Sequence, residues 1–200
     1  MMNKIYIYGG NGHGLVVADI AKACGYKKII FVDDNAMSGF VSFEMIKENN
    51  DIPIALGVGN NMARKKLFKK VEDYGFNIET LIHPNAVISA NVTIGKGTVI
   101  MPRVVINTKS KIGKGVILNT ASIIEHDNII KDFVHISPNV ALGGNVTIDD
   151  NTHIGIGSNI IHGLKVGQNC MIGAGSIVVR SIGDNQLCFG NPCKVIKEIK

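Results

Sequence analysis

Every sixth residue from Ile82 to Val178 is aliphatic; Ile88, Ile94, Ile100 and Ile106 begin the series, which runs on through Leu118, Leu142 and Val166 without a slip. A period of six matches neither an α-helix at 3.6 residues per turn nor a lone strand at two. It matches a chain that turns a corner after each short strand. The pattern therefore predicts a parallel β-helix in which three hexads close one triangular coil and residues eighteen apart stack. One coil cannot bury its aliphatic face alone, whereas stacked coils bury a continuous column and give each strand backbone partners above and below. Each buried Ile then contributes roughly 1.5–3 kcal/mol. Short side chains two places before the aliphatic residue, such as Thr98, Ser110, Ser122, Thr152, Ser158, Cys170 and Ser176, are expected at the corners, where space is short. Gly95, Gly113, Gly143, Gly155, Gly167 and Gly173 directly follow an aliphatic residue. They are expected to supply turn geometry that a Cβ disfavours.

Ahead of the column the pattern changes. KIYIYG (residues 4–9) reads as a buried strand, followed by GGNGHG (9–14) and an apolar helical stretch from Leu15 to Ala23 that stops at Gly25. KIIFV (28–32) reads as a second strand ending in Asp33 and Asp34. The apolar run Ile52–Val58 leads into Gly59-Asn60-Asn61, and a basic amphipathic helix spans about Met62–Tyr74. Alternating strand and helix predict a small parallel α/β domain. The division expected is residues 1–82 for this Rossmann-like domain, 83–183 for the β-helix, and 184–200 for a short cap. A glycine-rich turn between strand and helix presents free backbone N–H groups to an anion, usually phosphate. An acidic residue at the tip of the second strand commonly bonds a ribose hydroxyl. Asn11, Gly12, His13, Asp33, Asp34 and Gly59 are thus the candidates for nucleotide contact. The domain is half of a full dinucleotide fold, which favours one nucleotide diphosphate over NAD.

The column carries His126, His135, His153 and His162. Inward places are taken by aliphatic and short residues, so these imidazoles are expected to point out of the column or into its corners. His126 stands apart because Glu125 and Asp127 flank it: a carboxylate beside an imidazole fixes its tautomer and stabilises imidazolium, as general-base work requires. His135 and His153 are one coil apart and should stack, with His135 the one expected to meet ligand. No carboxylate or cysteine completes a set of three or four ligands around that pair, so no metal site is expected.

The net charge of +5 comes from lysines spread along the chain rather than run together, which does not indicate nucleic-acid binding. Cys24, Cys170, Cys188 and Cys193 show no CxxC or zinc spacing. With no signal-like start and no apolar run long enough to span a membrane, a cytoplasmic protein is expected.

GGNGHG, Asp33-Asp34, Gly59-Asn60-Asn61, IIEHD (123–127), FVHIS (133–137) and GNPCK (190–194) occur in an order that resembles a known family. The column resembles the left-handed β-helix acyltransferases, which use acetyl-CoA. The whole chain resembles the bacterial sugar O/N-acetyltransferases, a family that includes the UDP-4-amino-sugar N-acetyltransferase of the bacillosamine pathway and the sialic acid O-acetyltransferases. The resemblance implies a homotrimer with active sites between neighbouring columns. It implies His126 as general base assisted by Asp127, where the bacillosamine enzyme commonly has Glu, with Glu125 as the alternative partner. It implies UDP-sugar contacts at the N-terminal candidates named above. It implies acetyl-CoA contacts at His135, Ile156 and Ala174, the last replacing a glycine. The tail's lysines, Lys194 among them, read by themselves either as a plain charged cap or as a basic lip for a phosphorylated cofactor. An oxyanion donor is expected in the coil near Gly143. Substrates linked to GDP or dTDP, O-acetylation of sialic acid, and a non-catalytic nucleotide-sugar scaffold are the alternatives.

Overall fold

A computed structural model describes residues 4–35 and 39–199. Strand β1 (Lys4–Tyr8) lies between β2 (Lys28–Val32) and β3 (Ile54–Leu56), and all pairings are parallel. Its side chains alternate. Ile5 and Ile7 pack with Val17, Ile20 and Ala21 of helix α1 (His13–Ala23), while Tyr6 and Tyr8 join an aromatic core with Phe43, Phe68 and Phe76. Both faces of the small sheet are covered, as parallel sheets require. A short helix α2 (Phe43–Ile46) and the longer α3 (Asn61–Asp73) complete this unit. Of the expected strand at 76–82, only Leu81–Ile82 forms, and it already belongs to the column, pairing with Val99–Ile100. The column therefore starts inside the stretch expected to close the first domain.

From Leu81 the chain makes two-residue strands at every hexad, stacked in three parallel sheets in which residues eighteen apart are partners, as in Ile117 with His135 and Leu118 with Ile136. Ile100, Ile106, Leu118, Ile124, Ile136 and Ile154 are fully buried along the axis. The short residues do more than save space. Thr98, Ser110, Thr152 and Ser158 each donate to a carbonyl fifteen residues on, at 2.6–2.9 Å, and each accepts the amide eighteen residues on. They stitch adjacent coils together where the corner diverts the backbone ladder.

The hexad glycines have a different reason from the one expected. None of the six has positive φ. At Gly155 an added Cβ would stand 2.5 Å from Ile172 O, and at Gly143 2.7 Å from His162 N, so the space between coils, not the backbone dihedral, excludes a side chain. The left-handed conformation falls two residues later, at each described corner from residue 97 to residue 175 in steps of six. Glycines and asparagines hold many of these corners, but Arg103, Lys109, Ala121, Asp127 and Phe133 stand there too, at φ of 57–63°.

The cap carries two strands of its own. Strand Gln186–Phe189 continues one sheet, pairing parallel with Met171–Ile172, and then turns back as the antiparallel strand Lys194–Glu198. Gly190-Asn191-Pro192 makes that hairpin rather than ending the sheet.

The α/β unit docks on one edge of the column. Phe68 meets Phe133 edge-on at 5.3 Å, and Asn61 donates to Asn151 O and Thr152 O. Gly97 and Gly115 make room there, since a Cβ on Gly97 would lie 2.8 Å from the Phe68 ring.

Candidate active site

The first cluster is the glycine cleft. Gly9, Gly10, Asn11, Gly12, His13, Asp33 and the Gly57–Gly59 turn line a hollow of about 370 Å³. Its floor is made by close backbone approach: a Cβ on Gly14 would lie 1.9 Å from Gly9 O, and one on Gly57 2.7 Å from the Gly14 Cα. No side chain caps α1, whose first residue, His13, lines the cleft; of its first-turn amides, that of Gly14 donates to Asn11 O. Asp33 receives the amides of Gly10 and Asn35. Asp34 does not line the hollow: its carboxylate accepts from Tyr8 Oη, from Lys70 Nζ at 2.8 Å and from the Phe43 amide at 3.0 Å. Burial pushes that carboxyl up, but the bonds from Lys70 and Tyr8 outweigh it and hold Asp34 below the ordinary range. Asp34 thus anchors α2 and α3 to β1, which corrects its expected placement at the ribose.

Beneath the cleft, where the two units meet, lies a stack of imidazoles. His135 is 8 % exposed and lies face to face with His153, ring centres 4.5 Å apart, and 6.2 Å from His13. His135 Nε2 pairs with Asn119 Nδ2 at 3.2 Å, and His153 Nε2 with Ser137 Oγ at 2.7 Å. His135 and His153 point out of the column as expected, but His135 is buried because the α/β unit covers that face. Burial and the nearby Arg64 charge push His13 down to about 4. Burial, His153 and Arg64 push His135 down to about 3, and His153 is lowered by burial and Arg64. All three are neutral at physiological pH. Arg64, at the start of α3 and 1 % exposed, is a residue the sequence analysis missed, as are Asn119 and Ser137. A lone arginine in a lysine-rich helix was the only signal for it.

The second cluster is on another corner of the column. His126 Nδ1 lies 2.8 Å from Asp127 Oδ2, and both side chains are about half exposed. Asp127 occupies a left-handed corner at φ 59°, which turns its carboxylate back to the neighbouring ring. Glu125 does not share this role; its carboxylate accepts from Asn107 Nδ2 at 2.9 Å. Gly144 lies directly against the ring, where a Cβ would stand 2.5 Å from His126 Cε1. The Gly143 amide is engaged with Ile160 O. Ile156, Ala174 and Lys194 are exposed, the first two stacked on the third corner, and His162 is exposed as well. A larger hollow of about 470 Å³ beyond the start of α3 is lined by Asn151, Asn169 and Met171 and holds none of the expected catalytic residues. Among the described residues no three His, Cys, Asp or Glu side chains converge on a metal position.

A nucleotide-type cleft joined to a hexad column bearing an exposed His–carboxylate pair defines a β-helix acyltransferase architecture. Residues 4–71 match the family profile described as the PglD N-terminal domain. The chain is 34% identical over 110 residues to the UDP-N-acetylbacillosamine N-acetyltransferase of Bacillus subtilis; the match spans 49% of this chain and about half (51%) of that curated relative. The acetyltransferase domain of PglB from Neisseria gonorrhoeae is 36% identical, with a TM-score of 0.90 over 97% of this chain and all of that one. A GDP-perosamine N-acetyltransferase from Caulobacter crescentus, solved as a mutant with CoA and GDP-perosamine, is 31% identical, with a TM-score of 0.93 over 99% of both chains. The chain belongs to the bacterial sugar O/N-acetyltransferase family, and its column is the left-handed β-helix of those structures.

Proposed function

We propose that this protein is an acetyl-CoA-dependent N-acetyltransferase that acetylates the 4-amino group of a UDP-linked 4-amino-4,6-dideoxy sugar by direct transfer. The observation that carries the reading is the His126–Asp127 pair, 2.8 Å apart on an exposed corner. With Nδ1–H directed at Asp127, Nε2 keeps its lone pair for the proton that the substrate ammonium must lose. The amine then attacks the thioester carbonyl, and the Gly144 amide meets the oxyanion, since that of Gly143 is engaged with Ile160 O. On collapse the C–S bond breaks, the imidazolium protonates the departing sulfur so that CoA leaves as thiol, and the new amide nitrogen gives up its second proton to solvent. Asp127 stabilises the imidazolium without taking the proton. Acetyl-CoA would run along the corner of Ile156 and Ala174, with His135 one coil below and Lys194 toward its phosphates. The nucleotide would sit in the glycine cleft, with Asn11, Gly12, His13, Asp33 and Gly59 around it.

His126 and the α/β unit occupy different corners of one triangular column, so a single chain does not bring its base to its own cleft. A homotrimer, in which a neighbouring column supplies the base, completes the site; light scattering at a mass three times that of the chain is the expected result. A GDP-linked substrate is the second reading, favoured by the Caulobacter enzyme's likeness over nearly the full chain. Thiol release from acetyl-CoA, with UDP-, GDP- and dTDP-linked 4-amino sugars and free sialic acid offered in parallel, tests both. Release with the UDP sugar is expected; release with sialic acid alone would move the chain to O-acetylation, and release with none would overturn the proposal.

A further inference from the structure

We infer that Arg64 is a positioning residue whose buried, unpaired charge biases the glycine cleft toward a diphosphate-linked ligand. The inference rests on the nucleotide reading of that cleft. Arg64 donates to Val58 O at 3.2 Å, Gly59 O at 3.0 Å, Asn61 Oδ1 at 2.9 Å, Gly115 O at 2.7 Å and Phe133 O at 2.9 Å. Two of these acceptors belong to the turn that lines the cleft, and two to the column. Every one is neutral, and among the described residues no carboxylate pairs with the guanidinium. A buried cation without a counter-charge is expensive, and a carboxylate partner would be the usual remedy. Its bonds to Val58 O and Gly59 O set the guanidinium directly behind the turn that lines the cleft.

A second observation points the same way. His13, which lines the cleft at the uncapped start of α1, has a buried Nε2 with no hydrogen-bond partner. The Arg64 charge adds to burial in keeping that ring neutral, so it can turn its N–H to a phosphate oxygen. A diphosphate at the α1 amides would therefore satisfy His13 and supply the negative charge that Arg64 lacks. Asp33, the only acid lining the cleft among the described residues, already accepts two amides and is left to the neutral sugar hydroxyls. A free sugar offers Arg64 nothing, and a monophosphate offers less charge.

Calorimetric titration with UDP, UMP, uridine and CoA tests this. In Arg64→Gln, affinity for UDP should fall roughly tenfold, with uridine and CoA affinity unchanged, while Arg64→Lys, which keeps the charge and loses the fork, should stay within about threefold of the parent for UDP. An equal loss for UDP and uridine, or a loss for CoA, would show a merely structural rivet and overturn the inference. The unaltered protein gives an independent check. A buried charge is poorly screened, so the ratio of UDP to uridine affinity should change less than about threefold between roughly 50 and 500 mM NaCl. A fall of tenfold would assign the preference to surface lysines instead. If the unaltered protein binds none of UDP, GDP or dTDP, the nucleotide reading of the cleft fails first, a result distinct from the Arg64 patterns.

Discussion

On the proposed mechanism, His126 depends on two neighbours with separate tasks. Asp127 is one methylene shorter than glutamate, yet it reaches Nδ1 because its own backbone is left-handed. Asparagine tolerates that conformation well. Asp127→Asn should therefore fold as before, with melting temperature within about 1 °C, and lose turnover roughly tenfold through the missing charge; the loss is limited because the pair is half exposed. Removing the base in His126→Ala should lower kcat by about 10²–10⁴. Unaltered turnover would remove His126 from the role. Gly144→Ala places its Cβ against the ring rather than against backbone. The ring can swing away, so stability should hold while kcat drops, because the imidazole leaves Asp127. Steady-state kinetics beside a thermal melt separates the two effects.

At the scale of the coil, conformation and spacing place different demands on neighbouring residues. Three residues after the inward aliphatic side chain, the backbone must take positive φ, which a residue with a Cβ adopts at a cost of about 1 kcal/mol. Ala121 bears that cost with no side-chain hydrogen bond to offset it. Ala121→Gly or Ala121→Asn should raise the midpoint of unfolding by a few degrees, unless glycine's greater freedom in the unfolded chain cancels the gain; Asn is the cleaner test. Directly after the aliphatic residue the demand is for room. Gly155→Ala would drive a methyl into Ile172 O and should cost about 1–3 kcal/mol, measured by denaturant titration.

The junction of the two units makes the whole molecule sensitive to acid. His13 and His135 are held neutral, at about 4 and about 3, whereas the unfolded chain protonates near 6.5. Between those values the unfolded state binds more protons than the folded one, so stability rises with pH. It is fully present above about pH 7 and is lost as pH falls toward 4. For His13 the effect is on the order of 3 kcal/mol. The groups facing these rings are Arg64 and His153, both of which oppose protonation. The melting temperature should fall steeply from pH 7 to pH 4 and less steeply in His135→Asn; an identical slope would refute the assignment.

The hexad period by itself determined the column, its three-sided section, the stacking of His135 on His153 and the exposure of His126. Every one of these follows from a repeat that the chain carries locally. The glycine cleft was legible for the same reason, since strand, turn and helix adjoin in sequence. Tertiary structure alone decided where the α/β unit docks, and with it the burial of His135 and the bonds of Arg64. The bonds from Arg64 and Asn61 to the column join residues 51 to 91 positions apart, as in Arg64 to Gly115 and Asn61 to Thr152. They arise from the fit of Phe68 and Phe133 into space left by Gly97 and Gly115. A periodic pattern records which side of its own element a residue faces; it carries no trace of what another element will lay over that side.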